Sequence, residues 1–238
     1  MNRNINLSCI EIEINTKCNF KCSYCPSSFN NVKNSYMSFE KYKIIIDKLK
    51  QVDFNGRLSF HFYNEPTLHP DLEKFIKFSS KELPKALLRL YTNGSRLNDK
   101  LYCRLSNAGV DQFYVTLHKQ TPNLPTRPKQ VVRELSNIDI TNRGGSLHSI
   151  NNHLEIPCML PQEFLLFDIN GNALMCFEDY YKTEIFGNIF IDSLEKIYFN
   201  TRLEIFRKHL SLGDRTICNI CKKCDSKAYQ KLGQVYIE

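Results

Sequence analysis

Apolar and polar positions alternate through the opening MNRNINLSCIEIEIN, and the spacing predicts a strand over residues 7–14 rather than a signal peptide. SFEKYKIIIDKLKQ changes the period: Phe39, Tyr42, Ile46 and Leu49 share one helical face behind Ser38, a good N-cap. The same couplet recurs. RLSFHFY is a strand ending at Asn64, and HPDLEKFIKFSSK a helix with Pro70 in its first turn. ALLRLY is a third strand, ending at TNG before a helix over 98–107, and VDQFYVTLH a fourth, ending at His118.

Alternating β and α units of this kind predict an α/β fold with a partial (β/α)6 barrel of the TIM type, whose strand ends open onto one mouth. Residues 119–150 carry no clear period. KQTPNLPTRPKQ holds three prolines, and TNRGGS is flexible enough for close approach to a ligand. Beyond residue 150 the style changes. EFLLFDINGNALMCF reads as a hairpin turned at Asn170-Gly171, and Asp192 with Glu195 is spaced as a capping box for the helix in DSLEKIYF. Two domains are expected, 1–150 and a smaller 151–238.

A hydrophobic fraction of 42% over 238 residues fills a sizeable core. No apolar run reaches the ~20 residues of a membrane helix, so a cytoplasmic chain with no membrane partner is expected. The net charge of +7 is scattered, which argues for a solvated basic surface and against a nucleic-acid partner. Ten cysteines without a secretion signal point to metal binding.

Cys18, Cys22 and Cys25 form C-x3-C-x2-C in the first strand-to-helix loop, with Pro26 restricting the exit. A structural zinc takes four protein ligands, and this loop holds no fourth. Three thiolates suit a four-iron, four-sulfur cluster with one iron left open to a non-protein ligand.

This motif, with the aromatic Tyr24 before its last cysteine, resembles that of the radical S-adenosylmethionine (SAM) superfamily. The resemblance implies that SAM chelates the open iron and that its reductive cleavage yields a 5′-deoxyadenosyl radical, which abstracts a substrate hydrogen. YNEP is similar to the segment that holds the methionyl amino group, assigning Glu65 there, with Asn64 where glycine is usual. YTNG, through Thr92 and Asn93, and His118 match positions near the ribose and the reaction chamber. A flavodoxin or ferredoxin-type electron donor and a monomeric enzyme are implied too.

Cys158, Cys176, Cys218, Cys221 and Cys224 form a second group, in which four could bind a zinc. Its spacing resembles the shortened SPASM region called a twitch domain. That resemblance makes Cys158, Cys176, Cys218 and Cys221 the ligands of an auxiliary four-iron cluster with no open iron, suited to electron transfer. Further segments, among them GRLSFHFYNEP, TNRGG, PCMLPQEF and GNALMCFEDY, resemble the members of the superfamily that dehydrogenate aminocyclitols in antibiotic biosynthesis. By that likeness Arg143 sits at the reacting hydroxyl, Glu178 faces a substrate amine or hydroxyl, and Tyr63, Tyr91 and Phe177 line the pocket. The expected reaction oxidises a secondary alcohol of an aminocyclitol or sugar-like molecule to a ketone. Two rivals stay open: an epimerase using Cys224 as hydrogen donor, and a peptide-modifying enzyme. Cys9 and Cys103 have no assigned role.

Overall fold

The computed structural model describes residues 5–118, 121, 124–137 and 140–237, so part of the proline-rich stretch after His118 lies outside the described residues. Eight strands make one sheet in the order β5-β4-β3-β2-β1-β6-β7-β8. They are β1 Cys9–Ile12, β2 Arg57–Ser59, β3 Leu87–Thr92, β4 Gln112–Leu117, β5 Gln130–Glu134, β6 Phe164–Phe167, β7 Asn172–Leu174 and β8 Ile185–Asn188. Every pairing from β5 across to β6 is parallel, and β7 and β8 add an antiparallel margin. Six parallel strands thus form the partial barrel, and the sheet continues through β1–β6 across residue 150.

Helices α1 Phe39–Gln51, α2 Leu72–Glu82 and α3 Asp99–Ala108 cross between successive strands from β1 to β4. Ser38 Oγ caps α1 by accepting from Lys41 N at 3.3 Å, and Asn98 Oδ1 caps α3 from Leu101 N at 2.9 Å. Two expected helix starts are displaced. Pro70 lies ahead of α2, whose flanking residue is Asp71; the Asp71 N–H donates to His69 Nδ1 at 3.0 Å, which holds 69–71 as a turn. The helix in DSLEKIYF is capped by Ser193, whose Oγ accepts from Lys196 N, because Asp192 is spent closing the turn onto Asn188 N. The remaining helices are α4 Leu160–Glu163, α5 Leu194–Tyr198, α6 Thr201–Ser211, α7 Asn219–Lys223 and α8 Gln234–Ile237. Among the described residues no helix is long and apolar enough to cross a membrane.

The main core lies between the sheet and α1–α3, where Ile10, Ile12, Leu88 and Phe113 meet Tyr42, Ile46, Phe75 and Leu105. Tyr42 stacks on Phe75 with centroids 4.2 Å apart, and truncating such a phenylalanine to alanine costs about 3–5 kcal/mol. A second group, including Cys9, Leu160, Phe164 and Val235, closes the other side. By the two-residue period, the opposite face of β1–β3 carries Glu11, Arg57 and Arg89, each almost fully buried. Charged side chains therefore point into the barrel, not into water.

Candidate active site

The loop after β1 is tied to the turn after β2. Asn15, fully buried, donates from Nδ2 to the carbonyls of Lys17 and Glu65, and the Glu65 N–H donates to Lys17 O at 2.9 Å. Within the loop the Cys25 N–H closes a turn onto Cys22 O, and Pro26 opens a short 3-10 turn. Cys18, Cys22 and Cys25 all line a cavity of about 320 Å³ at the carboxyl ends of the strands. Burial pushes the Cys18 thiol up to about 11 and raises that of Cys22.

Glu65, Thr92, Asn93, Asn64, Tyr24 and His118 stand around the same cavity. Glu65 Oε1 accepts from Thr67 N, Thr67 Oγ1 and Thr92 Oγ1, while Oε2 accepts from Asn93 N alone, at 2.7 Å. Burial raises its carboxyl and these bonds oppose the rise; Oε2 retains capacity for one more donor. Asn64 turns its amide inward, donating to Asn15 Oδ1 and accepting from Phe62 N. It is not among the residues at positive φ, so asparagine fits there without strain where the resembling segments have glycine. Tyr24 stacks on His118 and its hydroxyl meets His118 Nδ1, which also lies 3.7 Å from Cys22 Sγ. Burial lowers the His118 pKa, favouring a neutral ring.

Arg143 reaches the cavity from Asn142-Arg143-Gly144-Gly145, where residues 143, 144 and 145 all have positive φ. For a non-glycine residue such as Arg143 this conformation costs about 1–3 kcal/mol, and the surroundings must enforce it. Asn142, fully buried, does so by donating to Lys223 O and His148 O and accepting from Gly145 N. A Cβ on Gly144 would come within 2.9 Å of Glu178 O, which explains the double glycine. Arg143 Nη1 lies 3.5 Å from Glu178 Oε1. Glu178 is itself buried behind Arg143, off the cavity wall, with both oxygens accepting from Thr141 Oγ1. Tyr63, Tyr91 and Phe177 are on the wall; Tyr63 donates to Phe177 O at 2.9 Å, and the Tyr91 hydroxyl receives Arg57 and Arg89.

The wall also holds residues that the sequence reading did not single out: Glu11, Arg57, His61, Thr116, Arg133 and Tyr229. Glu11 lies 4.0 Å from Arg57 and 3.8 Å from His61, and burial raises its carboxyl to about 7. Burial and the Arg57 charge push His61 down to about 3, so this imidazole is neutral.

None of Cys158, Cys176, Cys218, Cys221 and Cys224 lines that cavity. Cys158 and Cys176 pack against both apolar groups, and Cys218 and Cys221 against the larger. A hydrogen bond between the last two lowers the Cys218 thiol and raises that of Cys221. Arg215, 2% exposed, donates to the carbonyls of Ile156, Pro157 and Ser226, and its charge acts on Cys158 and Cys224. A buried guanidinium bonded only to neutral carbonyls needs negative charge nearby, and a thiolate-ligated cluster supplies it. Among the described residues no three His, Cys, Asp or Glu side chains converge closely enough for a single metal ion. Such an ion draws thiolates to about 2.3 Å from one centre, whereas a cubane spreads them over several irons.

Residues 12–152 match the radical SAM superfamily, and residues 158–225 match an iron-sulfur cluster-binding domain, SPASM. The chain belongs to the radical SAM superfamily. It is 34% identical over 236 residues to the S-adenosyl-L-methionine-dependent 2-deoxy-scyllo-inosamine dehydrogenase of Niallia circulans, covering 94% of each chain. The crystal structure of BtrN in complex with AdoMet and 2-DOIA superposes with a TM-score of 0.91 at 33% identity, covering 98% of each chain. BtrN in an open conformation gives 0.81 at 31% identity over 99% of each chain, so the fold here is nearer the liganded form. As a radical SAM protein with a SPASM region, the chain uses SAM, a four-iron, four-sulfur cluster and further iron-sulfur chemistry. The residues present fit these groups: three thiols share a cavity with a carboxylate that can accept another donor, and the charge of a buried arginine acts on thiols of the second group.

Proposed function

We propose that this enzyme oxidises a secondary hydroxyl of an aminocyclitol or sugar-like molecule to a ketone. One observation carries the reading: Arg143 and three cysteines share a cavity wall, while a second thiol group sits apart from it, packed against the core. Residues 1–150 form the radical-generating part and 151–238 the auxiliary-cluster part. Cys18, Cys22 and Cys25 hold the first cluster, and Cys158, Cys176, Cys218 and Cys221 the second. Glu65, Asn64, Thr92, Asn93, Tyr24 and His118 hold SAM. Tyr63, Tyr91 and Phe177 enclose the substrate.

Alcohol oxidation removes one hydrogen atom from carbon, one proton from oxygen and one further electron. When bound, SAM and the clusters supply the hydrogen-atom abstraction and the outlet for the electron. The protein supplies control of the oxygen. Arg143, held charged by Glu178 at 3.5 Å, donates to the reacting oxygen and stabilises it as its proton passes to solvent at the open mouth of the cavity. Glu178 acts from behind Arg143, and Tyr63 and Phe177 keep water from the reacting carbon.

The enzyme works as a cytoplasmic monomer on a small molecule, without nucleic acid or membrane, and takes electrons from a flavodoxin or ferredoxin-type donor. An epimerase would require a thiol facing the substrate, and Cys224 is not on the wall. The test is anaerobic reconstitution, then incubation with SAM, reductant and 2-deoxy-scyllo-inosamine and related polyols. Equal amounts of 5′-deoxyadenosine and ketone are expected. Solvent deuterium on the substrate carbon with no ketone would sink the reading.

A further inference from the structure

Tyr229 reaches the cavity wall from the tail between α7 and α8, beyond the last of the cysteines. Its backbone is left-handed, with φ 60°, a conformation that a bulky residue keeps only where its surroundings enforce it. Anchors on both sides do so. At and before Tyr229, Ser226 O accepts from Arg215 Nη1 at 3.0 Å and Tyr229 O accepts from Met159 N at 2.6 Å. After it, Gly233 N donates to Glu163 Oε2 at 2.7 Å, Val235 O accepts from Arg57 Nη2 at 2.8 Å, and the Val235 side chain is buried with Leu160, Phe164 and Leu166. Between these anchors Gln230, Lys231 and Leu232 are exposed, so the tail dips inward at Tyr229, turns out to solvent and returns. The Tyr229 ring meets Phe177 edge to face, and its hydroxyl feels the charges of both Arg57 and Arg143. A ring that merely filled the core would be enclosed on all sides, whereas Tyr229 is half-buried on the wall of an open cavity. That cavity measures about 320 Å³, near the lower end of the range of about 300–1,000 Å³ for ligand sites, and SAM shares it with the substrate.

We propose that Tyr229 is a specificity-determining residue: its ring, braced on Phe177 and held inward by the anchored tail, limits the substrate to a single polyol or aminocyclitol ring without large substituents. The limit is steric. The tail fixes the ring in place, so a bulky group on the substrate has to displace Tyr229 or stay out. This rests on the alcohol-oxidation reading and narrows its substrate class.

The test is calorimetric titration of the reconstituted, SAM-loaded enzyme with 2-deoxy-scyllo-inosamine and with its mono-O-benzyl ether. The wild type should favour the parent cyclitol by about tenfold or more, the scale on which a packed pocket rejects a misfitting group. Tyr229→Ala should bring the ratio close to unity by admitting the ether, Tyr229→Phe should keep the wild-type ratio, and SAM affinity should not change in either. Val235→Ala loosens the same tail away from the wall, and should lower Tm while leaving the ratio as it is. A wild type that binds both compounds equally, or neither, overturns the proposal. So does a Tyr229→Ala variant that keeps the preference or loses SAM affinity, and so does a Tyr229→Phe variant that behaves like Tyr229→Ala, since the hydroxyl and not the ring would then discriminate. Product analysis separates the two readings. Size-dependent binding that yields 5′-deoxyadenosine without ketone defeats the dehydrogenase reading alone, whereas ketone from parent and ether with equal kcat/KM defeats only the assignment of Tyr229.

Discussion

Cys18, Cys22 and Cys25 come from a single loop and open onto the cavity, whereas Cys158, Cys176, Cys218 and Cys221 come from three separated segments and pack against the apolar core. A ring of donors and a carboxylate surrounds the first group; a buried guanidinium bonded to backbone carbonyls stands beside the second. The difference teaches how one small chain separates two jobs. A centre that must touch ligands is built locally, where few contacts suffice and exposure is tolerated. On the proposed reading, the centre that passes electrons is built by long-range packing against the core, which keeps it off the cavity wall.

The largest expected effect breaks the first site. Replacing Cys18, Cys22 and Cys25 by Ala should eliminate 5′-deoxyadenosine and lower iron from about eight to about four per chain, the loss of one cubane of two. Iron falling to zero would mean that the two sites do not assemble independently. Cys176→Ala attacks the other side: about four irons should remain, ketone formation should stop, and SAM cleavage should continue without it. Ketone at the wild-type rate would show that the second site is not the electron outlet. Arg143→Gln should lower kcat by about 10²–10³, the range for removing a donor to a developing oxyanion, with little change in KM. Gly145→Ala meets both φ +84 and a Lys223 Cβ at 2.8 Å, and should destabilise by about 1–3 kcal/mol, read as a lower Tm. The smallest effect belongs to Cys224→Ala. Both clusters and turnover should survive, with a stability loss of about 1 kcal/mol; loss of iron would make Cys224 a ligand.

Strands β1 to β4 and the three crossover helices were legible because their periods are clean, and α1 and α3 also start at standard caps, Ser38 and Asn98. β5 was not. It is an edge strand whose Val131 and Val132 are exposed, so no buried apolar stripe marks it, and Arg133 was missed with it. Arg57 and His61 escaped for another reason. Alternation in GRLSFHF separates two faces of a strand but does not say that the polar one looks into a barrel instead of water. The three-cysteine loop was readable because its ligands are adjacent in the chain; Tyr229 was unreadable because only folding brings it opposite Phe177, with ring centroids 5.7 Å apart.

The pairing of β1 with β6 sets a constraint in time as well as in space. Cys9 lies opposite Phe164 in the parallel register, so the region that matches the SPASM domain supplies a strand to the middle of the sheet on which the three-cysteine loop is mounted. On the ribosome, β1 stays an unpaired edge on that side until residue 167 has emerged, and contacts of such sequence separation form slowly. Cluster insertion into the early cysteine loop therefore has to wait for the late half of the chain, or proceed on a barrel whose central strand is still exposed.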